Sequence, residues 1–311
     1  MEFAHVPVML NECLDGLKIK SDGIYVDGTV GGAGHSIEIV KRLGEGGRLI
    51  AVDRDSDALE AASKRLAPYK EKVTFVHDDY KNLISELDTL GIGEVDGILL
   101  DLGVSSYQLD NAERGFSYMK DAPLDMRMDR EQPLTAYDVV NKYDEREIAN
   151  ILFDYGEEKL ARVIARNIVA KRAQKPIETT LELAKIVEDS YPAKTRWKFG
   201  HPAKRTFQAI RIAVNGELNA LDEAITAMAR RLKKGGRMAV ITFHSLEDRI
   251  VKSAFRELNL ACTCPPDFPV CVCGKVQEVE LVNKKPIVAS EEELQNNPRS
   301  QSAKLRIVER L

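Results

Sequence analysis

The sequence contains no apolar run that approaches the length of a membrane span, for which about 20 residues are needed. Its opening, MEFAHVPVML, lacks the basic stretch that begins a secretory signal. We therefore expect a cytoplasmic protein without membrane contact. The 311 residues also contain no internal repeat and no low-complexity tract, and they are enough for one large globular domain or two. The net charge of −4 gives no overall sign of a nucleic-acid partner, so any such sign must come from local segments.

Cysteine is scarce and unevenly placed. Cys13 stands alone, and the other four, Cys262, Cys264, Cys271 and Cys273, follow the pattern C-x-C-x6-C-x-C. Structural disulfides are uncommon in the cytoplasm, and four closely spaced cysteines suit a tetrahedral zinc ion with a structural role. The single-residue spacing is tighter than the usual two to four, so reduced thiols, or a disulfide after oxidation, stay open as alternatives.

The first hundred residues alternate short apolar strands with amphipathic helices. The strands are predicted at residues 23–27, 48–53, 73–76 and 95–101. Such an alternation predicts a parallel sheet that is covered by helices on both faces.

This alternation stops soon after Asp101. Residues 135–190 contain only helical patterns, and one long helix is predicted over residues 203–233, ending at a Lys-Lys-Gly-Gly sequence. Strand patterns return at residues 237–244 and at residues 303–310, where apolar and charged residues alternate as in an edge strand.

We therefore predict an α/β fold in which one doubly wound sheet is interrupted by a helical domain. The predicted sheet domain is discontinuous and comprises residues 1–108 and 209–311. The predicted inserted all-helical domain comprises residues 109–208.

A glycine-rich loop, VDGTVGGAGHS, follows the first strand at residues 26–36. In open α/β sheets ligands bind at this edge. A phosphate-binding loop needs a lysine after the glycines, and none is present. A dinucleotide fingerprint is weakened because Ile37 stands where a third small residue belongs.

A third candidate ligand is S-adenosylmethionine. Asp27 and Asp53 end the first two strands, Asp79 or Tyr80 follows the third, and Asp101 ends the fourth. A carboxylate after the second strand can accept both ribose hydroxyls, and an aromatic ring after the third can stack on adenine. Aspartates at strand ends also serve as caps and turn residues. Four polar strand ends in register with a glycine loop nevertheless favour a ligand.

Seven long motifs occur together and in order: DGTVGGAGHS, DGILLDLGVSS, RGFSYM, PLDMRMD, TFQAIRIAVNGEL, FHSLEDRIVK and NPRSQSAKLR. With them the chain resembles the bacterial 16S ribosomal RNA (cytosine-N4)-methyltransferases, the RsmH/MraW family. The resemblance implies a Rossmann-like class I methyltransferase sheet with an inserted helical domain, which uses S-adenosylmethionine and methylates a cytosine in the decoding centre of the small ribosomal subunit. It places cofactor contacts at Ala33, Gly34, His35, Asp53, Tyr80, Asp101 and Gln108. Tyr80 stands where family members often have phenylalanine, and it keeps the aromatic ring.

Asp101 is the candidate catalytic residue. An acceptor at the amine hydrogens would draw the nitrogen lone pair out of conjugation, and the carboxylate could then take the proton. A purely cofactor-binding role for Asp101 is an equal alternative from sequence. Methylation at carbon 5 would need a cysteine nucleophile, and no cysteine lies near the ends of the fourth and fifth strands.

Local basic segments with aromatic residues are the candidates for RNA contact, since cations meet phosphates and rings stack on bases. One such segment, residues 194–205, carries no acid and contains the single tryptophan of the chain and Phe199. Basic residues at helical spacing in 159–175 fit RNA contact or a solvated face equally well. The individual candidates are Arg114, Phe116 (or Tyr118), Arg127, Arg196, Trp197, Lys198, Lys204, Arg205 and His244.

Three points stay open at this stage. The implied partner is either free 16S rRNA or the assembled small subunit, and a homodimer is one of the oligomeric states that the sequence allows. An NAD-dependent oxidoreductase and a ribosome-binding module with an inactive methyltransferase fold are the rival functions. The imperfect fingerprint counts against the first rival, and the intact acidic strand ends count against the second.

Overall fold

The computed structural model describes residues 7–194, 196–198, 200–265 and 270–311. The chain forms two compact units. One comprises Met1–Gly103 with Ala220–Leu311 and is called the sheet unit; the other comprises Val104–Asn219 and is called the helical unit. The helical unit has wider bounds than the predicted 109–208, and Val104, Ile210 and Val214, which lie outside those bounds, pack into its core.

The sheet unit contains one seven-stranded sheet in the order β3-β2-β1-β4-β5-β7-β6. Strands β1 to β5 are parallel, and β7 runs antiparallel to both β5 and β6. This arrangement confirms the predicted doubly wound sheet. The strands are β1 (Ile24–Asp27), β2 (Arg48–Asp53), β3 (Val73–His77), β4 (Val95–Asp101), β5 (Leu232–Thr242), β6 (Val279–Leu281) and β7 (Lys304–Arg310).

The prediction of an edge strand at 303–310 is wrong, because β7 lies between β5 and β6. Its alternating charges suggested a solvated face. Arg306 is instead buried, and its Nε donates to Asp248 Oδ1 at 2.7 Å. A charge that is paired inside the fold gives the same sequence pattern as one that faces water.

Four helices precede the helical unit: α1 (Leu10–Leu17), α2 (Gly34–Val40), α3 (Ser56–Leu66) and α4 (Leu83–Thr89). The apolar faces of α1, α2 and α3 join strand residues such as Tyr25 and Leu49 in a buried cluster. Asp55 begins α3 as an N-cap, since its side chain accepts from the Asp57 N–H.

The helical unit contains α5 (Ser106–Asp110), α6 (Ala136–Lys142), α7 (Glu145–Gly156), α8 (Ala161–Arg172), α9 (Thr180–Ser190) and α10 (Ala203–Asn215). Thr135, Asp144 and Thr179 begin α6, α7 and α9 with capping boxes. These helices surround an apolar core of their own, as expected for a separate domain.

The last helices are α11 (Leu221–Arg230), α12 (Ser245–Asn259) and α13 (Glu291–Asn296). The prediction of one helix over 203–233 is wrong: α10 ends at Gly216, which adopts φ 55° and donates its N–H to the Ile212 carbonyl. The Lys-Lys-Gly-Gly sequence belongs to β5 instead of ending a helix. Among the residues described, none of the helices is both long and apolar enough to cross a membrane.

Candidate active site

Asp27, the last residue of β1, holds the glycine-rich loop through hydrogen bonds. Asp27 is 1% exposed; its Oδ2 accepts from Ser36 Oγ at 2.6 Å and its Oδ1 from the Thr29 N–H at 3.2 Å. Burial raises the pKa of Asp27 to about 6. Asp27 thus joins the two ends of the loop and has a structural position.

The backbone of this loop leaves room beside it. A Cβ on Gly28 would lie 2.5 Å from Leu100 Cδ2, so only glycine fits there, whereas one on Gly32 would meet no atom within 4 Å. Ala33 has φ 58° and turns the chain into α2. Open space next to closely approaching backbone is what a bound ligand requires.

Asp53 ends β2 and faces the same loop. Its Oδ2 accepts from the Gly31 N–H at 2.8 Å and its Oδ1 from the Asp55 N–H at 2.9 Å. Burial raises the pKa of Asp53 to about 6. A carboxylate offers about four acceptor positions, so two stay available for a pair of hydroxyl groups.

Tyr80 opens the 3₁₀ turn Tyr80–Asn82 that follows β3. Its Cβ lies 3.3 Å from the position of a Cβ on Gly28, so the residue adjoins the glycine loop. Asp79 has a different role, because its side chain accepts from the Lys81 N–H and from Arg54 Nη1 at 3.1 Å. Of the two residues predicted to meet adenine, Asp79 is occupied in holding the turn.

Asp101 ends β4, and its N–H donates to Thr29 Oγ1 at 2.6 Å. Its Oδ1 is buried and has no hydrogen-bond partner among the residues that the structure describes. Burial, followed by the charges of Asp27 and Glu247, raises the pKa of Asp101 to about 8. Asp101 is therefore a partly buried acid whose Oδ1 is buried and has unused acceptor capacity.

His35 lies beside this acid in the first turn of α2. Its Nε2 donates to the Val8 carbonyl at 2.9 Å, and its Nδ1 lies 3.9 Å from Asp101 Oδ2. The imidazole is 5% exposed. The bond to Val8 orients the ring so that Nδ1 faces the Asp101 carboxyl.

His244 does not form an exposed RNA contact. It is the N-cap of α12, and its Nε2 lies 3.0 Å from Glu247 Oε1. Both side chains are buried, and Glu247 Oε2 accepts from the Phe243 N–H at 2.9 Å. The FHSLEDR motif thus builds a buried cap, which corrects the surface role predicted for His244.

Three further RNA candidates are internal to the helical unit. Arg114 is 2% exposed and its Nη2 donates to the carbonyls of Arg127 and Met128. Phe116 is 6% exposed and packs in the helical core. Arg127 directs Nε and Nη2 to Asp125 and Nη1 to two carbonyls. Their sequence pattern resembled a nucleic-acid surface because arginines that brace backbone carbonyls and arginines that bind phosphate look alike in sequence.

The PLDMRMD motif contains a residue with a strained backbone conformation, Met126, which hydrogen bonds within the helical unit hold in place. Met126 is buried with φ 60°, a conformation that is unfavourable for a side chain of this kind. Asn215 Nδ2 donates to the Met126 carbonyl at 2.8 Å, and Asn215 Oδ1 accepts from the Met128 N–H at 2.7 Å. Met126 and Met128 are packing residues, as predicted.

Gln108 belongs to the helical unit and is 3% exposed. Its side chain accepts from the Ser105 N–H at 3.0 Å and its own N–H donates to Ser105 Oγ, which forms the capping box of α5. This side chain therefore fixes the beginning of α5.

The basic segment before α10 carries exposed cations and an exposed ring. Trp197 is 57% exposed and meets His201 edge-on at 5.1 Å. Lys198, Lys204 and Arg205 are exposed. Arg196 is less available because its Nη2 donates to the Tyr191 carbonyl at 3.4 Å.

The other aromatic residues near this segment differ in availability. Tyr118 stacks on His201 with ring centroids 4.4 Å apart. Phe199 lies outside the described residues.

On α8 and just before it, Lys159, Arg162 and Arg166 are exposed on one side. The helical unit thus has two exposed basic regions.

The four clustered cysteines converge. The Sγ atoms of Cys262, Cys264, Cys271 and Cys273 all lie within 4.8 Å of one another, and none of these residues is in a disulfide. Such a set of side chains could hold a metal ion.

Two supporting residues were missed from the sequence. Thr29 Oγ1 accepts a hydrogen bond from the Asp101 N–H, and Ser36 Oγ donates one to Asp27 Oδ2. Both hydroxyls lie inside the glycine-rich motif, where attention falls on the glycines. The signal that would have found them is a hydroxyl residue placed two or nine positions after a strand-ending aspartate.

Several known proteins resemble this chain. The model of the MraW methylase family matches residues 2–311. The chain is 58% identical over 311 residues to "Ribosomal RNA small subunit methyltransferase H" of Lachnospira eligens, covering 100% of this chain and 99% of that protein. It is also 58% identical to the protein of the same name from Clostridium botulinum, with 100% of each chain covered. A solved structure of an rRNA methylase from Streptococcus thermophilus covers 99% of each chain, at 14% identity and a TM-score of 0.43.

Proposed function

The chain belongs to the MraW methylase family, and from this membership we propose that it transfers the methyl group of S-adenosylmethionine to the exocyclic N4 amine of a cytosine in 16S rRNA. The observation that carries the chemistry is the state of Asp101. It is a partly buried acid with an unpartnered Oδ1 at the strand edge that also holds Asp53 and the glycine loop. These residues form an enzyme site and not only a binding surface.

The residues at this edge fit S-adenosylmethionine. The open space at Gly32, the remaining acceptor positions of Asp53 and the ring of Tyr80 match the amino-acid, ribose and adenine parts of that molecule. S-adenosylmethionine supplies an already activated methyl group on a sulfonium. The proposed cofactor-binding residues are Ala33, Gly34, His35, Asp53, Tyr80, Asp101 and, from the helical unit, Gln108.

The chain's own contribution is to position the amine and to remove its proton. The amine lone pair is delocalised into the cytosine ring, so the nitrogen is a poor nucleophile. Ionised Asp101 accepts a hydrogen bond from the amine, which favours the tetrahedral nitrogen, and then takes the proton. The His35 ring lies beside this carboxyl, with Nδ1 3.9 Å from Asp101 Oδ2.

The helical unit supplies the RNA contacts in this proposal. Trp197 offers a ring for stacking, and Lys198, Lys204 and Arg205 offer exposed cations for phosphate. In this proposal Arg114 and Phe116, which are buried, and Arg127, which is partly buried, support this unit rather than provide its main RNA contacts. The target base must leave its stack to reach the methyl group.

Besides S-adenosylmethionine, a structural zinc ion belongs to this proposal, held by Cys262, Cys264, Cys271 and Cys273. Four thiolate ligands leave no open coordination position, so this metal takes no part in methyl transfer. The partner is 16S rRNA, either free or within the assembled small ribosomal subunit, which places the enzyme in the cytoplasm. Sedimentation of the purified chain would show whether it also forms a homodimer.

Two experiments, a binding titration and a methyl-transfer assay, separate this proposal from its rivals. Calorimetry with S-adenosylmethionine should show binding that Asp53→Ala weakens, whereas binding of NAD instead would favour the oxidoreductase. Transfer of labelled methyl to free 16S rRNA and to assembled subunits, side by side, identifies the form of the substrate. Binding to subunits without any transfer would leave the inactive ribosome-binding module as the better account.

A further inference from the structure

The segment between α12 and β6, residues 260–278, is a loop whose two ends lie next to each other. The Glu278 N–H donates to the Leu258 carbonyl at 2.9 Å and closes its base. None of the described residues from 260 to 278 is buried, and Val272 and Val276 are 72% and 73% exposed. The described residues of this segment therefore offer no buried apolar side chain to offset the entropy of ordering the backbone. A cross-link would supply that stabilisation.

The four cysteine sulfurs have the spacing of a tetrahedral metal site. Cys271 Sγ lies 3.5 Å from both Cys262 and Cys273 and 3.9 Å from Cys264, and Cys273 lies 3.8 Å from Cys262. With a Zn–S bond of about 2.3 Å, the sulfurs of a tetrahedron are roughly 3.8 Å apart. The observed distances agree with that edge.

Backbone N–H groups already point at three of these sulfurs. Thr263 donates to Cys273 Sγ at 3.4 Å, Cys264 to Cys262 Sγ at 3.3 Å and Val272 to Cys264 Sγ at 3.4 Å. Donors of this kind stabilise thiolates and orient the ligands of a metal. Exposed, uncharged thiols would not need them.

The geometry points to a four-thiolate zinc site that folds the segment between α12 and β6. Thiolates are soft ligands, which select zinc over magnesium or calcium. The binding energy of the metal becomes folding energy for a segment whose described residues offer no buried apolar side chain. This site is independent of the methyl-transfer chemistry, so its test does not depend on the outcome for that activity.

The test measures zinc in the purified full-length chain by mass spectrometry, after growth with added zinc and purification without chelator. We expect about one zinc ion per chain. The double variant Cys262→Ser/Cys271→Ser should lose it, and the matched control Cys13→Ala, which removes a thiol from α1, should keep it. Replacement by cobalt should give the absorption spectrum of a tetrahedral tetrathiolate complex.

A second readout guards against general misfolding. S-adenosylmethionine binding by the double variant should match that of the wild type, while trypsin cleavage at Lys275 should become faster, as it should in the wild type after chelation. A wild-type chain without zinc, a chain that carries iron instead, or equal zinc content in the double variant would each overturn the proposal.

Discussion

At the scale of single residues, Asp101 combines burial with an oxygen that lacks a partner. Its raised pKa of about 8 means that the free enzyme holds this carboxyl mostly protonated at neutral pH. Only the ionised form can accept the amine proton. We therefore expect kcat/KM to rise with pH through an apparent pKa near 8. The rise of kcat with pH should occur at a lower apparent pKa than the rise of kcat/KM, because the positive sulfonium of the bound cofactor favours the carboxylate.

Replacing this acid tests the same assignment. Asp101→Asn should lower kcat by about 10²- to 10⁴-fold, the usual contribution of a general base, and should remove the rise of its residual rate with pH. It should retain measurable affinity for S-adenosylmethionine. Rate measurements across pH, with calorimetry for binding, check both points.

A matched control lies at the same edge of the sheet. Asp78 Oδ1 accepts from the Asp79 N–H and from Asn82 Nδ2, and an asparagine can keep both bonds. Asp78→Asn should therefore retain the wild-type rate and pH profile. Full activity in Asp101→Asn would refute a role for Asp101 in the transfer.

The strand-ending acids could be located from the sequence, but their separate roles could not. Asp27, Asp53 and Asp101 look equivalent in sequence, yet Asp27 joins the loop ends and Asp101 keeps an oxygen unused. These roles depend on Thr29 Oγ1, which accepts from the Asp101 N–H, and on Ser36 Oγ, which donates to Asp27 Oδ2. Only the folded chain brings these groups close. Burial likewise moved Arg114 and Phe116 from the predicted surface into the interior.

At the scale of elements, the glycine loop makes different demands at two of its glycines. Gly28→Ala would force its Cβ against Leu100 Cδ2 at 2.5 Å and toward Tyr80, so it should destabilise the fold by about 1–3 kcal/mol and weaken cofactor binding. Gly32→Ala meets open space and should leave the stability unchanged or slightly higher. Denaturant unfolding compares the two variants. Equal losses of stability would contradict the described loop geometry.

The exposed basic segment before α10 makes a prediction about RNA. Trp197→Ala should raise KM for the RNA substrate roughly tenfold to a hundredfold, since stacking on a base contributes about 1–3 kcal/mol. Lys198→Ala should weaken binding less and reduce its dependence on salt. Neither variant should change the affinity for S-adenosylmethionine.

The control for this segment is an exposed lysine elsewhere in the helical unit. Lys185 pairs with Asp189 on α9, at 3.0 Å, and lies outside both basic regions. Lys185→Ala should leave RNA binding intact. If Trp197→Ala behaves like Lys185→Ala in filter-binding and kinetic assays, RNA does not use this segment.

Sequence patterns predicted elements well where the hydrophobic period was strong. They failed where a single backbone angle determined the end of an element. The alternation of β1 to β4 with helices was clear enough to predict the sheet. The division of 203–233 into α10 and α11 depends on the positive φ of Gly216, and the position of β7 depends on the burial of Arg306. Gly216 is itself a local signal for a helix end, which the long apolar pattern obscured, whereas the burial of Arg306 depends on tertiary packing and has no local signal.

At the scale of the whole molecule, three buried acids make stability depend on pH. Asp27, Asp53 and Asp101 have pKa values raised to about 6, 6 and 8, so the folded chain keeps protons that the unfolded chain has already released. Unfolding then releases protons, and stability should fall as pH rises from about 4 to about 8, with Asp101 alone contributing above about 6. Denaturant midpoints of the cofactor-free chain measure this, and Asp101→Asn should flatten the dependence. A midpoint that rises over this interval would contradict the buried state of these acids.

The central claim is that the chain methylates N4 of a cytosine in small-subunit rRNA through the edge that holds Asp101. The most direct measurement is transfer of labelled methyl from S-adenosylmethionine to small subunits from a strain that lacks the enzyme, with nucleoside analysis of the RNA. We expect the label in N4-methylcytidine for the wild type and little or none for Asp101→Asn. Label in 5-methylcytidine, or no label while S-adenosylmethionine still binds, would contradict the claim.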